Sequence, residues 1–411
     1  MNRRRFLARA AWAWLLAKTG RDAAMAVETP PTGARPEPNG QHAPAATLFL
    51  CGDVMAGRGI DQILPHPAPP RLFEAYARSA LDYVALAERA TGPIRHPEDF
   101  AYIWGDALAE LGRVRPDARI ANLETAVTVS GNAWPGKGIH YRMSPANLPC
   151  LEAAKIDCCV LSNNHVIDWG RQGLLDTLDN LHKAGIRTAG AGRDEAEATA
   201  PAVVELPGQG RVLVFAFGLA DSGVPPEWAA TGSRPGVNFL EDLSAASVEA
   251  VARRVRAAKR AGDLALASLH WGGNWGFAVP RAQRDFAHGL IEEAGIDLVH
   301  GHSSHHVKGI EVHRGKLVLY GCGDFLNDYE GIGGEEEYRG DLALMYFPTL
   351  DRATGRLLRL ALVPTQIRHF RVNRAAEEGR RWLFETLNRE GKTFGTRAEQ
   401  AENGSFLLRW G

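Results

Sequence analysis

The stretch "DLVHGHSSHHVKG", Asp297–Gly309, sets four histidines, His300, His302, His305 and His306, directly after an apolar run. The chain of 411 residues contains only fourteen histidines, so this density asks for a reason. Taken alone, the segment reads either as a polar surface loop or as a set of imidazole ligands. What the other apolar runs end on decides between them. "TLFL" (Thr47–Leu50) leads into Cys51-Gly52-Asp53, "ARIANLE" ends at Glu124, "IDCCVLSNNH" stops at Asn163, Asn164 and His165, and "DLALASLHWGGNWG" delivers His270. Near-continuous apolar runs of this kind suit strands buried on both faces.

Amphipathic helices lie between the runs. Leu174, Leu178 and Leu181 keep the helical period and stop at Gly185, and Phe286, Leu290 and Ala294 do the same before Gly295. A helix ending in "AGI" therefore passes into a strand twice, with "AAKID" at Ala153–Asp157 a looser third case. This alternation predicts an α/β fold whose ligands gather at the carboxyl ends of the strands. The C-terminal third reads as antiparallel: a hairpin turning at "HRG" (His313–Gly315), then "DLALMYFPTL" and "RLLRLALVPTQIRHFRV" joined by "DRATG".

The residues that follow the buried runs are Asp53, Glu124, Asn163, Asn164, His165, His270, His302, His305 and His306. A single Asp or Asn after a strand is ordinarily a turn or cap residue, and a single histidine is ordinarily a satisfied core imidazole. Here five separate runs end on groups able to ligate a cation or move a proton, and that concurrence favours a metal site. Carboxylate, amide and imidazole donors together suit Mn, Fe or Zn better than Mg or Ca.

With 47 basic and 48 acidic residues the chain carries no polybasic footprint, so nucleic acid is not an expected partner. Residues 1–26 read as an export signal: Arg3, Arg4 and Arg5, a short apolar run, then "AMA" at Ala24–Ala26. "RRRFL" is similar to the twin-arginine type, which carries folded proteins, and an uncleaved signal would tether the chain to the membrane. Residues 27–45 are Pro-rich and aperiodic, a linker. The expected location is thus periplasmic, or the outer face of the inner membrane. The five cysteines lack ribbon-like metal spacing and read as small buried hydrophobes.

"GDVMAGR", "NLETAVT", "LSNNHVIDWG", "LHWGGNWG", "VHGHSSHHVKGIEVHRGK" and "LYGCGDF" occur in the order of the bacterial capsule-synthesis family CapA, linked to poly-γ-glutamate biosynthesis, which the chain resembles from about Leu48 to Asp328. That family resembles the calcineurin-like metallophosphoesterases. The resemblance implies a four-layer α/β/β/α sandwich, taken here over residues 46–372, and a dinuclear metal centre; residues 373–411 read on their own as a peripheral helix and tail. Carried over, Asp53 is the first-strand aspartate, Glu124 the bridging carboxylate, Asn164 the amide ligand, His270 the next histidine, and His302 and His305 the paired imidazoles. One extra residue in the Gly-His segment leaves His306 as the alternative to His305. Met55 stands where such enzymes carry a histidine, and Asp324 where the family has asparagine.

The implied chemistry is metal-dependent hydrolysis or transfer on an anionic polymer or phosphoester, with His165 protonating the leaving group. Arg58, in a strand-to-helix turn, reads as an anion clamp or as a solvent-facing arginine. Asp168, three residues after His165, either orients that histidine or caps the following helix, the cap being slightly favoured. Two other functions fit the same residues: a non-catalytic, metal-containing component that binds polymer beside membrane-bound capsule synthesis proteins, and a periplasmic phosphoesterase.

Overall fold

The apolar runs around each donor become strands of two sheets, seen in a computed structural model that describes residues 45–208 and 210–411. The export signal expected at 1–26, and the linker expected at 27–45 apart from its last residue, lie outside the described residues. The chain first lays down β1 (Ala45–Val54), β2 (Ala118–Leu123), β3 (Cys158–Val160) and β4 (Arg187–Ala189), all parallel and neighbouring in that order. It then builds a seven-stranded sheet from β5 (Ala202–Glu205), β6 (Arg211–Leu219), β7 (Phe239–Leu240), β8 (Leu264–His270), β9 (Leu298–His302), β10 (Ile310–His313) and β11 (Lys316–Leu319). Finally it returns to the first sheet with β12 (Asp324–Leu326), β13 (Leu342–Asp351), β14 (Leu357–Ile367), β15 (Val372–Arg374), β16 (Thr396–Gln400) and β17 (Phe406–Trp410), making ten strands. The central order of the second sheet, β7-β6-β8-β9-β11, is parallel throughout.

The near-continuous hydrophobicity of the runs follows from burial on both faces. In β1, Leu48 and Leu50 enter a core shared with Val212 and Val214 of β6, Leu266 of β8 and Leu360 and Leu362 of β14. Phe49 and Cys51, pointing the other way by the period-two rule, pack in a second core with α1 (Leu81–Thr91), α2 (Asp106–Val114) and α3 (Gly170–Lys183). A third core sets Phe215, Ala267 and Val299 of the second sheet against α4 (Ala245–Ala258) and α5 (Arg281–Glu292). Each fully buried Leu or Phe in these cores contributes about 1.5–3 kcal/mol relative to exposure.

The helix-to-strand junctions adopt the left-handed turn that their glycines suggest, with φ of 75° at both Gly185 and Gly295. The looser third junction makes the same turn on Lys155, at φ 52°. The hairpin at "HRG" is present, His313 pairing with Lys316 across Arg314 and Gly315. Residues 373–411, expected as a peripheral helix and tail, are built into the first sheet instead. β17 pairs with β14 and β16 with β17, while α6 (Glu377–Gly391) buries Leu383 and Leu387 in the core between the sheets. All five cysteines are buried and free. Among the described residues, no helix is long and apolar enough to cross a membrane.

One close approach controls the end of β1. Its register against β2 slips between Cys51 and Asp53, a bulge of the kind that re-aims a side chain at a strand end. There the backbone of Asp53 donates to the Gly323 carbonyl at 3.0 Å. A Cβ on Gly52 would fall 1.7 Å from that same carbonyl oxygen, so only glycine fits. We therefore predict that Gly52→Ala destabilises the fold by about 3 kcal/mol or more, read as a lower denaturation midpoint; a loss under about 1 kcal/mol contradicts the close approach.

Candidate metal centre

Strand register assembles the donors. Asp53 lies opposite Asn122 of β2 on one side and opposite Asp324 of β12 on the other. In the second sheet His270 and His302 are register partners at the carboxyl ends of β8 and β9. Asp53, His270 and His302 each present a ligand atom within 4.8 Å of the others, and so do Asp53, His305 and Asp324. The Asp53 carboxylate belongs to both groups. Its Oδ1 accepts from Asn122 Nδ2 at 2.7 Å and its Oδ2 from the Ser303 backbone at 3.1 Å, which leaves lone pairs for the space between. Asn164 reaches the first group, with Oδ1 3.1 Å from His270 Nε2.

A chain of buried hydrogen bonds orients His302. His300 Nε2 lies 2.8 Å from the Cys51 carbonyl, which can only accept, so that nitrogen carries the proton. Burial holds His300 down to about 4, so the ring is neutral and its Nδ1 accepts from the Ser268 hydroxyl at 3.1 Å. Ser268 Oγ in turn accepts from His302 Nε2 at 2.9 Å. His302 is left with a bare Nδ1, 2.8 Å from His270 Nδ1 and 3.7 Å from Asp53 Oδ1, the tautomer a metal ligand requires. Asn327 does comparable work for Asp324, donating to Oδ2 at 2.8 Å while His305 Nδ1 meets Oδ1 at 2.8 Å.

Electrostatics mark the same spot. Burial and the facing Asp324 carboxylate push Asp53 up to about 7. Burial, then Asp53 and Asp324, push Glu124 well above the carboxylate range. Burial drives His270 and His302 far below the ordinary imidazole value, whereas at His305 burial is outweighed by the charge and hydrogen bond of Asp324 together with the charge of Asp53, and the value is raised. Glu124 is 1% exposed, and its Oε2 has no hydrogen-bond partner among the described residues. Three buried carboxylates, an orphaned oxygen and the bare nitrogen of His302 are a donor set that fits divalent cations.

His165 sits beside this set, its Nε2 3.6 Å from Glu124 Oε1. Its Nδ1 is 2.7 Å from Asp168 Oδ2, which also accepts from the Tyr141 backbone at 2.7 Å. The favoured reading of Asp168 as a helix cap is corrected: α3 begins at Gly170 after Trp169 and has no side-chain cap, and the carboxylate is committed to His165. Lys137, from the loop "WPGKG", completes the group by contacting Asp168, the Asn164 carbonyl and, at 3.0 Å, His165 Nδ1. Asp168, though buried, is held below the ordinary carboxylate value by His165 and Lys137. Asn163 instead shapes the turn, accepting from the backbones of His165 and Val166 at 3.1 Å each.

Sequence reading misses Asp324 and Lys137 as members of the site. The signal for Asp324 is a carboxylate at the start of a sixth strand; for Lys137 there is only a lone cation in a Gly- and Pro-rich loop. His306 lies outside both ligand groups, stacked on Trp275 at 6.1 Å and wedged against Phe277 and Tyr338. Met55 is fully buried and adds no hard donor.

Arg58 is neither a solvent-facing side chain nor a free anion clamp. It is 2% exposed, and its guanidinium donates to Asp328 Oδ2 at 2.8 Å and Oδ1 at 2.5 Å, to Glu74 at 3.2 Å and to Tyr141 Oη at 2.5 Å. It also lies 3.6 Å over the Tyr83 ring. With its donors engaged, it ties the turn after β1 to the segment after β12. Arg58→Ala strands two buried carboxylates, so a stability loss of about 3–5 kcal/mol is expected in chemical denaturation; a folded variant of wild-type stability would restore the clamp reading.

Comparison with known proteins places the chain. Residues 47–329 match the family described as bacterial capsule synthesis protein PGA_cap. A Mycobacterium tuberculosis protein whose name reads "probable polyglutamine synthesis accessory protein" is 47% identical over 352 residues, covering 85% of this chain and 92% of that one. The PGA biosynthesis protein CapA of Bacillus subtilis is 28% identical over 307 residues, 74% of this chain and 68% of that one. The capsule biosynthesis protein CapA of Bacillus anthracis is 23% identical over 283 residues, 69% and 60% respectively. A match over most of the described residues, joined to a relative at nearly half identity, makes this chain a member of the bacterial capsule synthesis protein family.

Proposed function

We propose that this chain is an exported accessory enzyme of capsule or poly-γ-glutamate production, holding two divalent cations (Mn, Fe or Zn) and acting hydrolytically or by transfer on an anionic substrate. The observation that carries the reading is the Asp53 carboxylate, common to the two ligand groups Asp53–His270–His302 and Asp53–His305–Asp324. Asn164 adds an amide oxygen to the first group, and Glu124 stands against Asp53 with one oxygen unsatisfied. This revises the expected division of labour, giving the bridging role to Asp53 and a flanking one to Glu124. Three cores in sequence, helices on the first sheet, sheet on sheet, then helices on the second, support the four-layer sandwich of the metallophosphoesterase type.

Two cations, when bound, supply charge neutralisation at an anionic reaction centre and a nucleophile at neutral pH. The chain's own residues supply the rest. Asp168 holds the Nδ1 side of His165, so Nε2 is the nitrogen turned toward Glu124 and the ligand groups, where it can deliver a proton to a leaving group. Lys137 keeps Asp168 ionised and places a positive charge at the edge of the site. The substrate is proposed to be a phosphoester or an amide of polyglutamate, handled on the outer face of the membrane beside membrane-bound synthesis proteins.

Elemental analysis of metal-loaded protein tests the arrangement. Asp53→Asn is expected to lose both ions, whereas His270→Ala and His305→Ala each retain one. Retention of two ions by folded Asp53→Asn contradicts the shared carboxylate. For the chemistry, His165→Ala is expected to keep both ions and lose about 10²–10⁴-fold in turnover. Undiminished polymer output from that variant favours the non-catalytic polymer-binding role, and release of product from a generic phosphodiester by the wild type favours the phosphoesterase.

A further inference from the structure

Away from the Asp53 groups, a second set of metal-type donors faces itself across a helix and a strand. His288 and Glu292 are four residues apart on α5, hence on one helical face. Glu311 and His313 are two apart on β10, hence on one face of that strand. The two faces meet in crossed pairs. His288 Nε2 lies 3.1 Å from both oxygens of Glu311, while His313 Nε2 lies 2.5 Å from Glu292 Oε1. The two imidazoles stack with centroids 3.7 Å apart and planes 8° apart. Ligand atoms of His288, Glu311 and His313 all fall within 4.8 Å of one another.

We infer that His288, Glu311 and His313, with Glu292 as a fourth donor, form a peripheral site for a zinc-class divalent cation that shares no ligand with the centre around Asp53. Two imidazoles and two carboxylates are a borderline nitrogen and oxygen set, matched to zinc and poorly matched to the all-oxygen preference of calcium or magnesium. Glu311 is 8% exposed and is oriented by the Tyr320 hydroxyl, which donates to Oε2 at 2.6 Å; Oε1 is thereby left to the ion. The side chains of His288 and His313 are 26% and 20% exposed, so an ion can enter without unfolding the chain. Tetrahedral zinc needs donors about 3.3–3.6 Å apart; the donors here start between 2.5 and 4.8 Å apart, and the two stacked rings must turn for both Nε2 atoms to face one ion. Arg314 also holds Glu292 Oε1, at 2.7 Å, but its side chain is 69% exposed and can withdraw to solvent. Occupied, the site clamps α5 to the edge hairpin β10–β11.

The full chain, stripped of metal and titrated with zinc alone, tests this. His288→Ala/His313→Ala is expected to bind one equivalent of zinc fewer than wild type. In the wild type, zinc is expected to suppress carbethoxylation of His288 and His313 several-fold by mass spectrometry, and to do so equally in Asp53→Asn, which separates this site from the central one. Unchanged zinc stoichiometry in the folded double variant, or labelling of both histidines that zinc does not reduce, reduces the cluster to a surface ion-pair network and overturns the inference. Should the double variant fail to fold, the wild-type labelling decides alone.

Discussion

Burying Asp53 beside Asp324 and Glu124 is the constraint on which the rest of the structure turns. Two like charges about 4 Å apart repel by roughly 4 kcal/mol at an effective dielectric near 20, and all three of these carboxylates are at most 1% exposed. A fold tolerates such a knot when protons or cations neutralise it. The upward displacement of Asp53 and Glu124 is the proton solution. The bare Nδ1 of His302 beside Asp53 points to the other, because an imidazole with a bare nitrogen relieves no negative charge unless a cation lies between.

That arrangement depends on the two sheets packing face to face with the donor-bearing strand ends brought together. Asp53, Glu124 and Asp324 come from the first sheet or the residue following it, and His270 and His302 come from the second. The core between the sheets sets their separation, and the contact of Gly52 with Gly323 sets where β1 ends. His300, the first histidine of the opening segment, works behind the site as a link from the Cys51 carbonyl through Ser268 to His302. The cluster thus divides its labour: one imidazole orients, two face the carboxylates, and His306 packs against aromatic rings.

Much of this is legible in the sequence, and the reasons for the remainder are physical. Parallel strands buried on both faces announce themselves as apolar runs, and the donors at their ends follow directly. Asp324 is harder, because its value comes from lying opposite Asp53, a pairing between distant segments that a single sequence does not display. Arg58 looks like a surface residue until Glu74 and Asp328 arrive, the latter 270 positions away. Of the final strands, "TRAEQ" is an edge strand with charged residues on its outer side and lacks the hydrophobic run that betrays its neighbours, while "FLLRW" is short and buries only Phe406 and Leu408. His305 and His306 are separated by the path of the loop, in which Ser303 takes a left-handed φ of 95°.

The most direct test of the shared-carboxylate account is anomalous diffraction from crystals of the wild-type chain loaded with manganese. The account predicts two peaks roughly 3.5–4 Å apart, one on each side of the Asp53 carboxylate, the first near His270 and His302 and the second near His305 and Asp324. A single peak, or peaks that leave Asp53 uncoordinated, would contradict it.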